Sequence, residues 1–139
     1  LGDRHVQISG LSDRIQLELI DAKQMPYADA SFDFVVSNSI VHHLPDPLLC
    51  WREIRRILKP NGGLFVRDLL RPDTLETLDR LVSGIGAEYD AHQTQLFRDS
   101  LQAAFTLEEV EEMVAIAGFT GVRVYQSSDR HWTVERSFF

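Results

Sequence analysis

A polar residue follows each of three apolar runs that the sequence predicts to be β-strands. The residues at these junctions are Asp21-Ala22, Asn38-Ser39 and Arg67-Asp68. The carboxyl ends of parallel strands lie along one edge of a sheet, and α/β proteins bind their ligands beyond that edge. The sequence therefore predicts a site that collects these three junctions.

Two adjacent histidines, His42 and His43, follow the second junction. Imidazole titrates near neutral pH, so each ring is a weak candidate for a base that takes a proton from an acidic hydroxyl. Adjacent side chains project in different directions, and no cysteine or carboxylate stands at a metal-ligand spacing, so no metal site is predicted. The alternative for each histidine is a structural role with one ring nitrogen hydrogen-bonded.

The first half of the chain predicts strands that alternate with a helix. Residues 14–20 and 64–69 have strand-like patterns, and the continuous apolar stretch within 32–37 is typical of a parallel strand covered on both faces. Asp46-Pro47 indicates a helix start, with aspartate as N-cap and proline at the first helical position. The Lys-Pro-Asn-Gly-Gly run at 59–63 ends this helix and turns the chain into the third strand.

Capping boxes indicate two helices in the second half. One is predicted from Asp73 with Glu76, and the other from Thr106 with Glu109, with its end at Gly118.

The remaining segments complete an α/β pattern. Residues 89–103 lack clear periodicity and are expected to form a loop or a broken helix over a site. Residues 121–126 and 131–135 predict two strands of an antiparallel hairpin. Strands alternating with helices therefore predict a mostly parallel sheet that ends in this hairpin.

The composition is that of one ordinary globular domain, predicted to span residues 1–139. The chain is 44% hydrophobic and 25% charged, and its net charge of −7 argues against a nucleic-acid partner. No apolar run is long enough to cross a membrane, and no signal-peptide pattern opens the chain, so a cytoplasmic location is expected. The single cysteine, Cys50, lies beside Trp51 in a predicted helix, which favours a core residue over a nucleophile.

Four short motifs carry a resemblance to a known family. They are Asp21-Ala22, Met25-Pro26, Ser31-Phe32-Asp33 and the His-His-Leu-Pro stretch at 42–45. From Arg14 onward the chain resembles class I S-adenosylmethionine-dependent methyltransferases. The resemblance implies a Rossmann-like sheet, S-adenosylmethionine as cofactor, and methyl transfer to a small-molecule or lipid-like acceptor.

The resemblance also implies cofactor contacts for five residues. Asp21 accepts a hydrogen bond from the adenine amino group, the backbone N–H of Ala22 bonds to the ring, and Met25 lies against the adenine face. Asn38 or Ser39 contacts the methionine part. The alternatives are that Asp21 only starts a turn and that Asn38 and Ser39 form local hydrogen bonds where the chain turns.

The implied reaction asks the protein mainly for positioning. Methyl transfer is a direct displacement at a sulfonium carbon, so in-line alignment supplies much of the acceleration without a protein nucleophile or metal. Residues 89–98, Arg67 and Asp68 are the candidates for the acceptor side. The Arg-His-Trp cluster at 130–132 is explained more simply by a hairpin with a packed tryptophan.

The residues before Arg14 do not contain the first strand, Gly-x-Gly turn, helix and second strand that the family places there. Gly2 and Gly10 are too far apart to form such a turn. We therefore expect a partial Rossmann-like sheet with its first two strands absent. Such a sheet is expected to be rearranged, to be completed by a partner chain or in a homodimer, or to belong to a truncated domain of a longer protein.

Two other function classes share parts of this pattern. A non-catalytic methyltransferase-like subunit that acts through protein–protein association is the main alternative. A nicotinamide-dependent oxidoreductase is disfavoured, because the sequence has no dinucleotide-binding glycine turn.

Overall fold

The structure is a computed structural model and describes residues 2–138. Its elements, in chain order, are α1 (Gly2–Ile8), β1 (Phe32–Asn38), a 3-10 helix (Val41–His43), α2 (Pro47–Ile57), β2 (Leu58–Leu69), α3 (Leu75–Ser83), α4 (Ala91–Ala103), α5 (Leu107–Ile116), β3 (Arg123–Ser128) and β4 (His131–Arg136). Within the described residues, no helix has both the length and the apolar character needed to cross a membrane.

The four strands form one mixed sheet in the order β1-β2-β4-β3. β1 and β2 are parallel and are connected through α2, whereas β4 runs antiparallel to both β2 and β3. The α/β class and the C-terminal hairpin are confirmed. The parallel part is limited to one strand pair, because the strand predicted at 14–20 does not form.

Residues 14–20 have no strand pairing, and their apolar side chains stay in solvent. Leu19 is fully exposed and Leu17 is 48% exposed. A strand needs a neighbour for its backbone N–H and C=O groups, and no strand of residues 2–138 lies beside this segment. β1 is consequently an edge strand, and Val36 on its open face is 66% exposed, so the prediction that this strand is covered on both faces is wrong.

The main core lies between one face of the sheet and helices α2 and α5. Trp51 of α2 and Trp132 of β4 are 1% and 0% exposed, and their ring centroids are 6.3 Å apart. The apolar stripe of α2 explains this packing, because side chains three or four positions apart share one helix face. The buried Trp132 and Cys50 both confirm predictions. The other buried members are Val41, Ile54, Leu58, Leu64, Val66, Val110, Val114, Phe119 and Val134.

Three helix starts follow local sequence, with corrections. α2 begins at the predicted Asp46-Pro47 pair, although the aspartate side chain makes no capping hydrogen bond. α5 begins at the predicted capping box of Thr106 and Glu109, with both of its hydrogen bonds present. The N-cap of α3 is Thr74 rather than Asp73, because the Thr74 hydroxyl accepts the backbone N–H three residues later.

Residues 91–103 form a regular helix, so the expectation of a loop or a broken helix is wrong. Asp90 accepts the backbone N–H of Gln93 at 2.7 Å, and the Gln93 side chain accepts the N–H of Asp90 at 3.0 Å. This capping box starts α4 without a strong apolar stripe, since Leu101 is the residue of this helix that is fully buried.

β2 begins directly after α2, earlier than the predicted position 64, and its first residues pair irregularly with β1. Phe32 opposes Leu58, whereas Phe34 opposes Gly63, so the run predicted as a turn bulges between these two pairs. A Cβ on Gly63 would lie 2.1 Å from ring carbons of Phe34, which explains the glycine. Gly118 after α5 has a φ of +84°, as expected for the residue that ends a helix.

Candidate functional site

The carboxylate of Asp68, near the end of β2, has no exposed surface. Its Oδ2 accepts the N–H of Val41 at 2.6 Å, and its Oδ1 accepts the N–H of Leu69 at 2.7 Å. Oδ1 also lies 2.5 Å from Nδ1 of His42, whose side chain is 4% exposed. Because a carboxylate only accepts hydrogen bonds, the imidazole proton lies on Nδ1 and the Nε2 lone pair is left to accept a proton.

A tight turn after β1 brings the histidine to this carboxylate. Ser39 has a φ of +59°, and its N–H donates to the carbonyl of Arg67 at 3.0 Å. The chain thereby crosses the end of β2 and enters the 3-10 helix, where Val41 is 1% exposed in the core. A left-handed non-glycine residue is uncommon and persists where its surroundings fix it. The backbone of Ser39 therefore turns the chain, while its side chain remains exposed. Its contact with the cofactor stays a prediction.

His43 lies beside His42 in a different environment. The two ring centroids are 3.9 Å apart, the planes are inclined by 39°, and His43 is exposed. α4 packs against the 3-10 helix, so the segment expected to cover a site does lie next to the histidines, in helical form. Within residues 2–138, only His42 of the two candidate bases is held by a carboxylate.

Asp21 begins a turn and does not end a strand. Its Oδ1 accepts the ammonium of Lys23 at 2.8 Å and the backbone N–H of Lys23 at 2.9 Å, and these bonds hold the pKa of the Asp21 carboxyl below its usual value. The Asp21 side chain is 55% exposed. Oδ2 has no hydrogen-bond partner within the described residues, so this oxygen is available to an external donor.

Ala22 and Met25 are half-buried and pack against the main core. The N–H of Met25 donates to Oε2 of Glu53 at 2.7 Å, and its carbonyl accepts from Arg56 at 2.9 Å. The Met25 side chain is thus a packed part of the loop. Its contact with an adenine face stays a prediction.

Arg56 of α2 fixes the loop at 25–29 to that helix. Besides Met25, its guanidinium donates to the carbonyl of Tyr27 at 2.6 Å and to the carboxylate of Asp29 at 2.9 Å. Arg56 also bonds Glu53, which lowers the pKa of the Glu53 carboxyl to about 2 and raises the pKa of the guanidinium. α2 therefore positions the loop that follows Asp21.

The sheet edge brings together two of the three predicted junctions. Asn38 opposes Arg67 in the β1–β2 register, and Asp68 follows directly. The third junction, at Asp21-Ala22, reaches this region through the packing of Ala22 on the same core that contains Val41.

The bond between Asp68 and His42 is the feature that sequence reasoning missed. The two residues are 26 positions apart, and the sequence analysis assigned them to separate roles. The usable sequence pattern was an acid at the end of one parallel strand and a histidine after the neighbouring strand, because such positions meet at one sheet edge.

Cys50 takes no part in this chemistry. Burial, followed by the negative charge of Asp21, raises the pKa of its thiol to about 11. The described part of the chain holds no group of three or more potential metal ligands.

The mixed α/β sheet and the polar residues at its edge agree with the fold that the motifs predicted. Residues 3–66 match the family model described as a methyltransferase domain. In this region and in its fold, the chain is similar to class I S-adenosylmethionine-dependent methyltransferases, as the motifs predicted. S-adenosylmethionine is the cofactor of that family.

Similar proteins support this assignment. The chain is 30% identical over 125 residues to methyltransferase GfsG of Streptomyces halstedii, covering 89% of this chain and 40% of that protein. It is 32% identical over 108 residues to 27-O-demethylrifamycin SV methyltransferase of Amycolatopsis mediterranei, covering 78% of this chain and 36% of that protein. It thus spans about two fifths of these relatives. A structure of a SAM-dependent methyltransferase from Aquifex aeolicus superimposes with a TM-score of 0.67 at 20% identity, covering 95% of this chain and 58% of that chain.

The residues present fit part of the family's cofactor. The unpartnered Oδ2 of Asp21 is a suitable acceptor for an adenine amino group, and Asn38 and Ser39 are exposed polar residues at the end of β1. A glycine-rich turn between a first strand and a helix, which would hold the ribose and methionine parts, is not among the described elements.

Proposed function

We propose that this chain is part of an enzyme that transfers a methyl group from S-adenosylmethionine to a hydroxyl oxygen of a small-molecule or lipid-like acceptor. The observation that carries this proposal is the buried hydrogen bond between Asp68 and His42. A carboxylate that accepts the Nδ1 proton of a histidine leaves Nε2 free to act as a base. An alcohol acceptor requires such a base to take its hydroxyl proton.

The protein's own part in the reaction follows from that bond. When bound, S-adenosylmethionine supplies a methyl carbon activated by the sulfonium, and the C–S electron pair leaves with sulfur. As the acceptor oxygen forms its bond to the methyl carbon, Nε2 of His42 takes the hydroxyl proton. Asp68 keeps the ring oriented and stabilises the positive charge that develops on it. General-base catalysis of this kind contributes about 10²- to 10⁴-fold to a rate.

One observation supports the acceptor class. The Amycolatopsis relative is named for a 27-O-demethylated substrate, which supports oxygen as the acceptor atom. Asp21, Ala22, Met25, Asn38 and Ser39 remain the proposed cofactor contacts.

The test combines binding with turnover. We would titrate the chain calorimetrically with S-adenosylmethionine and incubate it with hydroxylated quinol, sterol and macrocyclic acceptors, detecting methylated product by mass. His42→Gln is expected to lower turnover about 10²- to 10⁴-fold without changing cofactor affinity. The matched control is His5→Gln, an exposed histidine of α1. If the two variants methylate equally well, His42 is not the base.

A second candidate function is a non-catalytic subunit that pairs through its open sheet edge, as a homodimer or with a partner chain. The unpaired edge of β1 and the fully exposed Leu19 favour it, since apolar edges promote association. Light scattering with and without S-adenosylhomocysteine tests it. A stable dimer that binds no cofactor would support this candidate, whereas a monomer that binds cofactor would exclude it.

The lone free Cys50 supports our proposal of a cytoplasmic location.

A further inference from the structure

Arg67 of β2 is a half-buried cation with no carboxylate partner among residues 2–138. Its Nε is buried without a hydrogen-bond partner, and its one side-chain hydrogen bond joins Nη2 to Nδ1 of His131 at 3.1 Å. A guanidinium has five N–H donors, so most of this group's bonding capacity is unused. Partial burial of a charge is costly unless the charge is paired, which points to a partner outside the described residues.

The histidine beside Arg67 orients the guanidinium and does not neutralise it. Nδ1 of His131 lies 2.7 Å from the hydroxyl of Ser128 in addition to its contact with Arg67. Burial, then the charges of Arg67 and Arg130, lowers the pKa of His131, so the ring is neutral at neutral pH. Arg130 itself is paired with Asp129 at 3.2 Å. The charge of Arg67 is therefore uncompensated by its neighbours.

The position of Arg67 links this charge to the candidate site. Its side chain projects from the sheet face opposite that of Asp68, because successive strand residues alternate. On that face its register neighbour in β1 is the exposed Asn38. Its carbonyl also accepts the N–H of Ser39, at the start of the turn that leads to His42. The backbone of Arg67 thus borders the end of β1, whereas its guanidinium extends toward β4, where it contacts His131.

We propose that Arg67 binds a carboxylate of a small molecule held at this end of the sheet, through its terminal nitrogens and beside His131. A guanidinium matches a carboxylate in shape and charge. The carboxylate has two possible sources, the methionine part of the cofactor or an acidic acceptor. The inference rests on the proposed function in taking this edge as the site. Binding of a carboxylate by Arg67 is nevertheless tested without measuring methyl transfer.

The first experiment uses benzoate as a carboxylate probe and benzamide as its neutral counterpart. NMR spectra of histidine-labelled protein would follow His131, which senses the charges of Arg67, Arg130, Asp129 and Asp68. Benzoate is expected to shift the His131 ring signals and to raise its pKa, because a carboxylate on Arg67 cancels one of the charges that lower it. Benzamide is expected to do neither.

Variants assign the effect. Arg67→Gln is expected to weaken benzoate binding at least about tenfold, and Arg67→Lys to keep part of it if the glutamine variant does not fold. The matched control is Arg123→Gln, whose arginine is paired with Glu135 at 2.5 Å. No benzoate-dependent shift in the wild type, or an equal shift in the Arg67 variants, overturns the proposal even if methylation is observed.

A second pair of titrations identifies the source of the carboxylate. S-adenosylmethionine and its decarboxylated analogue would be compared in the wild type and in Arg67→Gln. A loss of affinity confined to the carboxylated form assigns Arg67 to the cofactor. Unchanged cofactor affinity, together with weakened benzoate binding, assigns it to an acidic acceptor. Failure of the proposed methyl transfer would leave the benzoate result unaffected, so the two failures are distinguishable.

Discussion

Replacing Asp68 by asparagine tests whether the buried carboxylate organises the site. The amide side chain of the Asp68→Asn variant retains one acceptor oxygen, which can serve His42 and Leu69. Its NH₂ group then faces the N–H of Val41, which in the wild type contacts the carboxylate at 2.6 Å. One buried donor loses its acceptor, and the two remaining hydrogen bonds lose their charge assistance. An unsatisfied buried donor costs about 1–3 kcal/mol, and the weaker remaining bonds add to this, so we expect a destabilisation of about 2–4 kcal/mol.

Urea unfolding followed by circular dichroism measures this change. For a chain of 139 residues, about 2–4 kcal/mol corresponds to a fall in Tm of roughly 8–16 °C. The matched control is Asp33→Asn, which breaks an ion pair with Lys59. Because the Asp33 side chain is 65% exposed, this change is expected to lower the free energy of unfolding by under about 0.5 kcal/mol. A double-mutant cycle with His42→Gln should give a coupling energy of about 1.5–3 kcal/mol. If the two asparagine variants are equally stable, the reasoning about Asp68 is refuted.

Three further predictions concern α2 and the loop that it holds. Arg56→Gln is expected to lower stability and to speed amide exchange in residues 25–29 at least about tenfold. Arg55→Gln, which loses one exposed hydrogen bond, should change little. Equal exchange rates in the two variants would show that Arg56 does not hold this loop. The Glu53 pKa is about 2 in the folded chain against 4.5 ordinarily, so its stabilisation is complete above pH 4.5 and is lost as the pH falls toward 2. Urea unfolding of Glu53→Gln should therefore differ from the wild type by about 2 kcal/mol at about pH 5 and converge with it near pH 2, and a pH-independent difference would argue against the ion pair. The Cys50 thiol, with a pKa of about 11, should react with a disulfide reagent at about pH 8 at least about tenfold more slowly in the folded chain than in urea; equal rates would show that the thiol is accessible.

The sequence determined the elements whose formation depends on nearby residues. The capping box of Thr106 and Glu109 closes within one helical turn, and the apolar stripe around Trp51 is a property of one helix. The hairpin with its buried Trp132 was also predicted, because its two strands are adjacent in sequence. The family motifs are short runs of neighbouring residues and can likewise be identified without the fold. α4 was missed because its apolar pattern is weak, although Asp90 and Gln93 form a capping box at its start.

Only the tertiary structure decided which of these local preferences were realised and which side chains met. Residues 14–20 have a strand-like pattern but no neighbouring strand among the described residues, and backbone groups cannot form a ladder without one. The hydrogen bond between Asp68 and His42 joins residues 26 positions apart and exists because β1 and β2 end side by side. The unpaired charge of Arg67 is likewise a property of its surroundings within residues 2–138. Sequence patterns specify what each segment prefers, whereas burial, pairing and charge compensation depend on which segments the fold brings into contact.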